Sequence, residues 1–230
     1  MQTEIEQIHD SVKVFVFTCD LSTEIGVIQL TMFAETKGLA VDILVNCAGF
    51  SITKGFTKLS QTQVKQIMAL DMAAVAQLSH VFVPKMVERG VGRVLNMGSI
   101  AGSVVSPSAA LYSSSKAFVI NFSQALDYEL RGLGVTVTCF CPGPVHTNFG
   151  NTADCADATY LNIPGTACST KKCAMFALQA MFRGETVAYD TWFAYITAFL
   201  GACVCPRRLL AAICAVCWNT PNKVKEMLRC

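Results

Sequence analysis

Residues 93–141 decide the fold: RVLNMGS (93–99), a loop carrying Gly102 and Pro107, then SAALYSSSKAFVINFSQALDYELR (108–131), Gly132, Gly134 and VTVTCFC (135–141). The two outer runs are short, apolar and partly β-branched, and read as buried strands. The segment between them is long enough for a helix, and the two glycines after Arg131 supply its stop. A strand, a long helix and a second strand make a crossover unit, which places the two strands parallel.

The same rhythm extends outward. VDILVN (41–46) predicts another buried strand, followed by Cys47-Ala48-Gly49. Ser60 opens a long helix with apolar spacing at Val64, Ile67, Met68, Met72, Val75 and Leu78, running past Pro84 to about Arg89. Upstream, VKVFVFTC (12–19) predicts a further buried strand ending at Asp20-Leu21, with Ser22 capping a helix to about Lys37 and Gly38. Downstream, residues 148–167 read as a mobile polar loop, 169–182 as a helix and ETVAY (185–189) as a short strand. The tail holds WFAYITAFLGACVC and LLAAICAVCW around Pro206-Arg207-Arg208. Each is shorter than the roughly 20 residues a bilayer span needs. A helical hairpin is expected there, packed on the body or lying in a membrane interface. The division is thus an α/β domain over 1–190 and an apolar helical tail over 191–230.

Composition narrows the function classes. Net charge is +2, which gives no reason to expect a nucleic-acid partner. Three scattered histidines argue against a histidine-based metal site. The twelve cysteines mostly sit in apolar runs, and the first residues, MQTEIEQIHD, are polar and acidic, unlike a secretory leader. Reduced thiols and an intracellular setting are expected, cytoplasmic or peripheral on an internal membrane. Cys203, Cys205, Cys214 and Cys217 form the one suggestive cluster; zinc binding and S-acylation are weighed against the plain reading of LLAAICAV as apolar helix, which is preferred, so no metal is expected.

The chemistry lies in Tyr112 and Lys116, four positions apart and therefore on one helix face. A phenol titrates near pH 10 and is a poor proton shuttle until a nearby ammonium stabilises its anion. Ser99 lies thirteen positions before the tyrosine and can hold a substrate oxygen. Singly, the three read as a surface aromatic, a solvated charge and a cap. Together they make a site for moving a proton on or off an alcohol or carbonyl. Asp20, Cys47–Gly49, Ser99 and Pro142–Thr147 all fall at the carboxyl ends of expected strands, where ligands bind in such folds.

Asn46-Cys-Ala-Gly49, the LNMGS run ending in Ser99, Tyr112-Ser-Ser-Ser-Lys116 and Pro142-Gly-Pro-Val-His-Thr147 resemble the short-chain dehydrogenase/reductase family in order and spacing, from about residue 12 to 190. The resemblance implies a Rossmann-like, doubly wound parallel sheet and an NAD or NADP cofactor. It implies Tyr112 as general acid or base, Lys116 as the group that lowers its pKa and holds the ribose, and Ser99 on the substrate oxygen. Asp20 and Leu21 would flank the adenine; Asn46, Ala48 and Gly49 would line the cofactor; Pro142, Gly143, Val145 and Thr147 would border the nicotinamide. ALQAMFRG and PRRLLAAI look like a subgroup related to bacterial and lipid-linked enzymes. The implied reaction interconverts a carbonyl and a secondary alcohol on a small apolar substrate (lipid, steroid or fatty-acyl), in a chain of a family that often pairs subunits.

Two departures stand out. Where the family has asparagine in the long middle helix, this chain has Asp71, whose carboxylate would compete with the phenolate for Lys116. The family's first β-α-β unit, with its TGxxxGxG phosphate loop, is missing before residue 12. That loop sets a helix N-terminus against the pyrophosphate. The rival expectation is therefore a family-like binding protein without cofactor affinity.

Overall fold

A computed structural model describes residues 12–147, 166–201 and 205–218, with Ile5, Phe149 and Ala153 as single positions. Most of the expected 148–167 loop, and Cys203, lie outside the described residues, as does the side chain of Cys217.

Four strands form the main sheet: β1 (Ile43–Asn46), β2 (Gly92–Met97), β3 (Val135–Cys141) and β6 (Val187–Tyr189). Their order is β1-β2-β3-β6 and every pairing is parallel. A second, two-stranded pair joins β4 (Val145–His146) to β5 (Cys168–Ser169); nothing in the local pattern of either dipeptide announces it. Helices α1 (Glu24–Thr36), α2 (Gln61–Met68, the π turn Ala69–Ala73 and Ala74–Arg89) and α3 (Ala110–Glu129) lie on one face. Helix α4 (Thr170–Arg183) covers the other, and α5 (Trp192–Phe199) and α6 (Arg207–Trp218) complete the described chain.

Strand alternation divides the core. Val94 and Val137 point to one face and pack with Leu78, Phe82 and Met86 of α2. Leu95 and Phe140 point to the other and pack with Cys173, Ala177 and Met181 of α4. Helix α2 is long and apolar enough to cross a bilayer, but Ile67, Val75, Leu78, Phe82, Val83 and Met86 are buried, as in a core helix. Ser60 starts it with a capping box shared with Gln63, and Gly90, at φ 68°, ends it. Gly134, at φ 77°, packs so close that a Cβ there would collide with the carbonyl of Gly90.

The strand expected over 12–19 does not form. Residues 12–20 form no regular element and join neither sheet. The run is tied to α1 instead: Phe17 stacks on Phe33 at 4.7 Å and the Lys37 Nζ lies 5.6 Å from the Phe15 ring centre. Val16 stays 65% exposed. β-branched and aromatic residues suit a pleated surface, but a strand also needs a neighbour for its N–H and C=O groups. The sheet ends at β1, with Ile43 and Val45 exposed on the face that α4 covers further along. Beyond β1 no further strand joins the sheet among the described residues.

Smaller differences concern ends. Thr23, not Ser22, caps α1, its Oγ1 accepting from the Gly26 N–H at 3.0 Å. Ser22 turns back, donating to Asp20 Oδ1 from both N–H and hydroxyl. Strand β2 stops at Met97; Ser99 follows in extended conformation and caps a 3-10 turn, Ile100–Ser103.

Candidate active site

The carboxyl ends of β1 and β2 carry a buried amide chain. Asn46 Nδ2 donates to Asn96 Oδ1 at 2.8 Å, and Asn96 Nδ2 donates to Ser123 Oγ at 2.9 Å. The parallel register sets Asn46 opposite Asn96, which makes the contact possible. Asn46 Oδ1 is buried and has no hydrogen-bond partner.

Helix α3 delivers Tyr112 and Lys116 to the same end of the sheet, both buried. Lys116 Nζ donates to the Met97 carbonyl at 2.9 Å and lies 5.6 Å from the Tyr112 ring centre. Ser99 Oγ accepts from the Ala101 N–H at 3.1 Å, and Ala101 packs against Tyr112. The triad expected from the sequence is thus assembled in one place. Tyr112 and Lys116 lie together at the carboxyl end of the sheet, beside the turn that Ser99 caps.

Asp71 sits in the π turn, an insertion common at functional positions. It is fully buried. Its Oδ1 accepts from the Phe50 N–H at 3.1 Å, and the Ser115 hydroxyl lies 3.3 Å from its Oδ2 and 2.8 Å from the Tyr112 carbonyl. Burial pushes this carboxyl up, and the Lys116 charge and the Phe50 N–H only partly offset that. The negative charge expected to compete for Lys116 is therefore opposed by its own desolvation.

The β3 end behaves as a linked corner. The Pro142 carbonyl accepts from the Ile100 N–H at 3.1 Å, tying it to the turn after Ser99. The Gly143 N–H donates to Asp190 Oδ1 at 2.9 Å. Asp190 is buried, its Oδ2 has no partner, and burial raises its pKa. Val145 is held in β4, while Thr147 is exposed and its Oγ1 accepts from the Phe149 N–H at 3.1 Å. Ala48 is exposed and Gly49 half-buried.

The expected strand does not end at Asp20-Leu21, since no strand forms there. Asp20 is exposed, its carboxyl held low by the Ser22 hydroxyl and N–H. Leu21 packs against the core between α1 and α2. Asn96, Ser115, Ser123 and Asp190 were not singled out by the sequence. Asn96 had a signal, a carboxamide inside an apolar strand; Ser115 lay hidden in a run of serines.

The nicotinamide-ribose side of a dinucleotide fits these residues. The unpartnered Asn46 Oδ1 and the Lys116 ammonium lie at the strand ends, and Gly49 keeps the backbone free of side chain. On the pyrophosphate side, no glycine-rich turn leads into a helix N-terminus among the described residues. Among them, likewise, no three His, Cys, Asp or Glu side chains are grouped to hold a metal.

Fold and cluster define a doubly wound α/β chain with its site beyond the strand ends. The sequence pattern of the short chain dehydrogenases matches residues 1–156, and the chain belongs to that family. It is 36% identical over 114 residues to the ketoacyl reductase HetN of Nostoc sp. (strain PCC 7120 / SAG 25.82 / UTEX 2576), covering 50% of this chain and 39% of the relative. It is 40% identical over 104 residues to the very-long-chain 3-oxoacyl-CoA reductase of Mycosarcoma maydis, covering 44% of this chain and 30% of that protein. The matches span well under two thirds of these relatives' own length. A short-chain dehydrogenase from Sphingobium yanoikuyae, solved in complex with NADPH, shares the fold with a TM-score of 0.76 at 23% identity, over 87% of this chain and 77% of that one.

Proposed function

We propose that this chain carries the proton-transfer half of an NAD(P)-dependent oxidoreductase that interconverts a carbonyl and a secondary alcohol on an apolar, fatty-acyl-like substrate. The observation that supports it best is the Lys116 ammonium, pinned by the Met97 carbonyl beside the buried Tyr112 ring. Tyr112 is the general acid in reduction and the general base in oxidation. Lys116 favours the phenolate, Ser99 positions the substrate oxygen, and Asn46 with Gly49 lines the cofactor. The nicotinamide, when bound, supplies or accepts the hydride.

The substrate class rests on two supports. Two relatives are named as reductases of ketoacyl and 3-oxoacyl compounds. Beside the β3 corner lies a cavity of about 550 Å³, lined by Cys168, Met175, Phe176 and Trp192, with Asp190 at its wall. Its apolar side chains suit an acyl chain, and Ser169, Lys172, Gln179 and Thr191 add polar groups to the lining.

The test is a fluorescence titration of the chain with NADH and NADPH, followed by turnover of a 3-oxoacyl-CoA. Binding is expected, with Tyr112→Phe lowering turnover by roughly 10²–10⁴-fold while leaving cofactor affinity nearly unchanged. Nicotinamide fluorescence that does not respond at millimolar concentration favours the rival reading of a family-like binding protein without cofactor affinity.

A further inference from the structure

Helices α5 and α6 are apolar on two faces. Inward, Ala194 and Ala198 of α5 and Leu210 and Cys214 of α6 are buried, the latter pair against Val104. Gly201 is pressed against the 3-10 turn after Ser99, where a Cβ would collide with the Ser103 carbonyl. The inward faces are therefore committed. Outward, Trp192, Tyr195, Ile196, Phe199 and Leu200 recur at helical spacing and are all exposed, Trp192 by 72%. Leu209, Ile213 and Val216 of α6 repeat the pattern, each about half exposed. Met175 and Phe176 of α4, also exposed, border Trp192 at the cavity mouth. Exposed apolar stripes of this kind mark interaction surfaces.

Charge indicates which partner. From Thr186 to Trp218 the sole acidic residue is Asp190, which is buried. The exposed unpaired charges flanking the patch are cations, Arg207 and Arg208 with Lys171 and Lys172 at the start of α4; Glu185, beside Trp192 and Tyr195, is paired with Arg183 at 3.4 Å. A two-fold contact between copies would bring Arg207 and Arg208 of both into one patch with no acidic counterpart. An anionic lipid surface supplies that counter-charge and takes the aromatic and aliphatic stripe at the headgroup boundary, where Trp and Tyr are favoured.

We propose that α5 and α6 dock this protein on the surface of anionic membranes, the Trp192–Leu200 stripe entering the interface and Arg207 and Arg208 contacting acidic headgroups. The proposal stands apart from the catalytic reading, since it requires neither cofactor nor turnover.

The test is flotation of the purified full chain with phosphatidylcholine vesicles, with and without phosphatidylserine. The protein is expected to float with both and more strongly with phosphatidylserine. Removing both arginine charges (Arg207→Gln with Arg208→Gln) is expected to weaken binding to the anionic vesicles by roughly thirty-fold, at about 1 kcal/mol per charge. Trp192→Glu with Ile196→Glu is expected to abolish flotation while the circular dichroism spectrum is kept. The wild-type chain staying at the bottom of the gradient with both vesicles overturns the proposal. So does flotation that the stripe variant leaves intact. Sedimentation showing a dimer that the stripe variant dissociates, without lipid binding, reassigns the face to self-association.

Discussion

Gly49 faces both Asp71 and Lys116: a Cβ on residue 49 would lie 3.1 Å from Asp71 Oδ1 and 3.4 Å from Lys116 Nζ. The slot exists because Asp71 is fixed by the Phe50 N–H and Lys116 by the Met97 carbonyl.

Gly49→Ala should therefore crowd the anchored Asp71 carboxylate, while Lys116 stays at ordinary contact distance. A cost of about 1–3 kcal/mol is expected, the range for overpacking a buried site, read from urea unfolding midpoints. Repeated on an Asp71→Ala background, the same substitution should cost less, because one obstructing atom is gone. Equal costs in both backgrounds would show that the slot is not closed by Asp71.

Asp71 also predicts a pH dependence of stability. Its folded-state pKa is raised above the ordinary 3.8. Between those two values the folded chain holds more protons than the unfolded one, so this group's contribution falls as pH rises through the window. Asp71→Asn removes the titration and keeps an acceptor for the Phe50 N–H. The variant is expected to melt higher than the parent at neutral pH, with the gain fading as pH falls from the raised folded-state value toward 3.8 and gone below it. Asp190 titrates in both proteins and cancels. A gain of equal size at every pH would refute the assignment.

Asn96→Leu should break the buried chain from Asn46 to Ser123. It leaves the Asn46 amide buried without its partner, a loss of about 1–3 kcal/mol. The denaturant midpoint should fall while the slope is unchanged, since no new surface is exposed in the folded state.

Hydrogen exchange should separate laddered backbone from the 12–19 run. Amides of Leu95, Asn96, Cys139 and Phe140 lie in ladders between neighbours on both sides and should be slow. Those of Phe15–Cys19, which join no ladder, should exchange far faster. Comparable protection in both would mean that 12–19 is paired in solution.

Much of the fold could be read locally. The apolar runs of β1, β2 and β3, the capping box at Ser60 and the glycine stops at Gly90 and after Arg131 mark their elements within a few residues. Tyr112 and Lys116 were legible for the same reason, since a four-residue spacing fixes a shared helix face. Asp190 was not, because its role depends on a Gly143 N–H brought to it by β3 and β6. The small β4–β5 pair was equally silent, as two residues carry no periodicity.

The sequence by itself determined the alternation of strands and helices, the family and the Tyr112–Lys116 pair, because these depend on nearest neighbours along the chain. Tertiary structure alone decided that VKVFVFTC is not a strand, since pairing requires an adjacent edge that composition cannot supply. It alone set Asp71, Gly49 and Lys116 around one slot, and it alone turned the small residues of α5 inward and the large ones outward. Each of these results depends on groups far apart in sequence competing for the same neighbours.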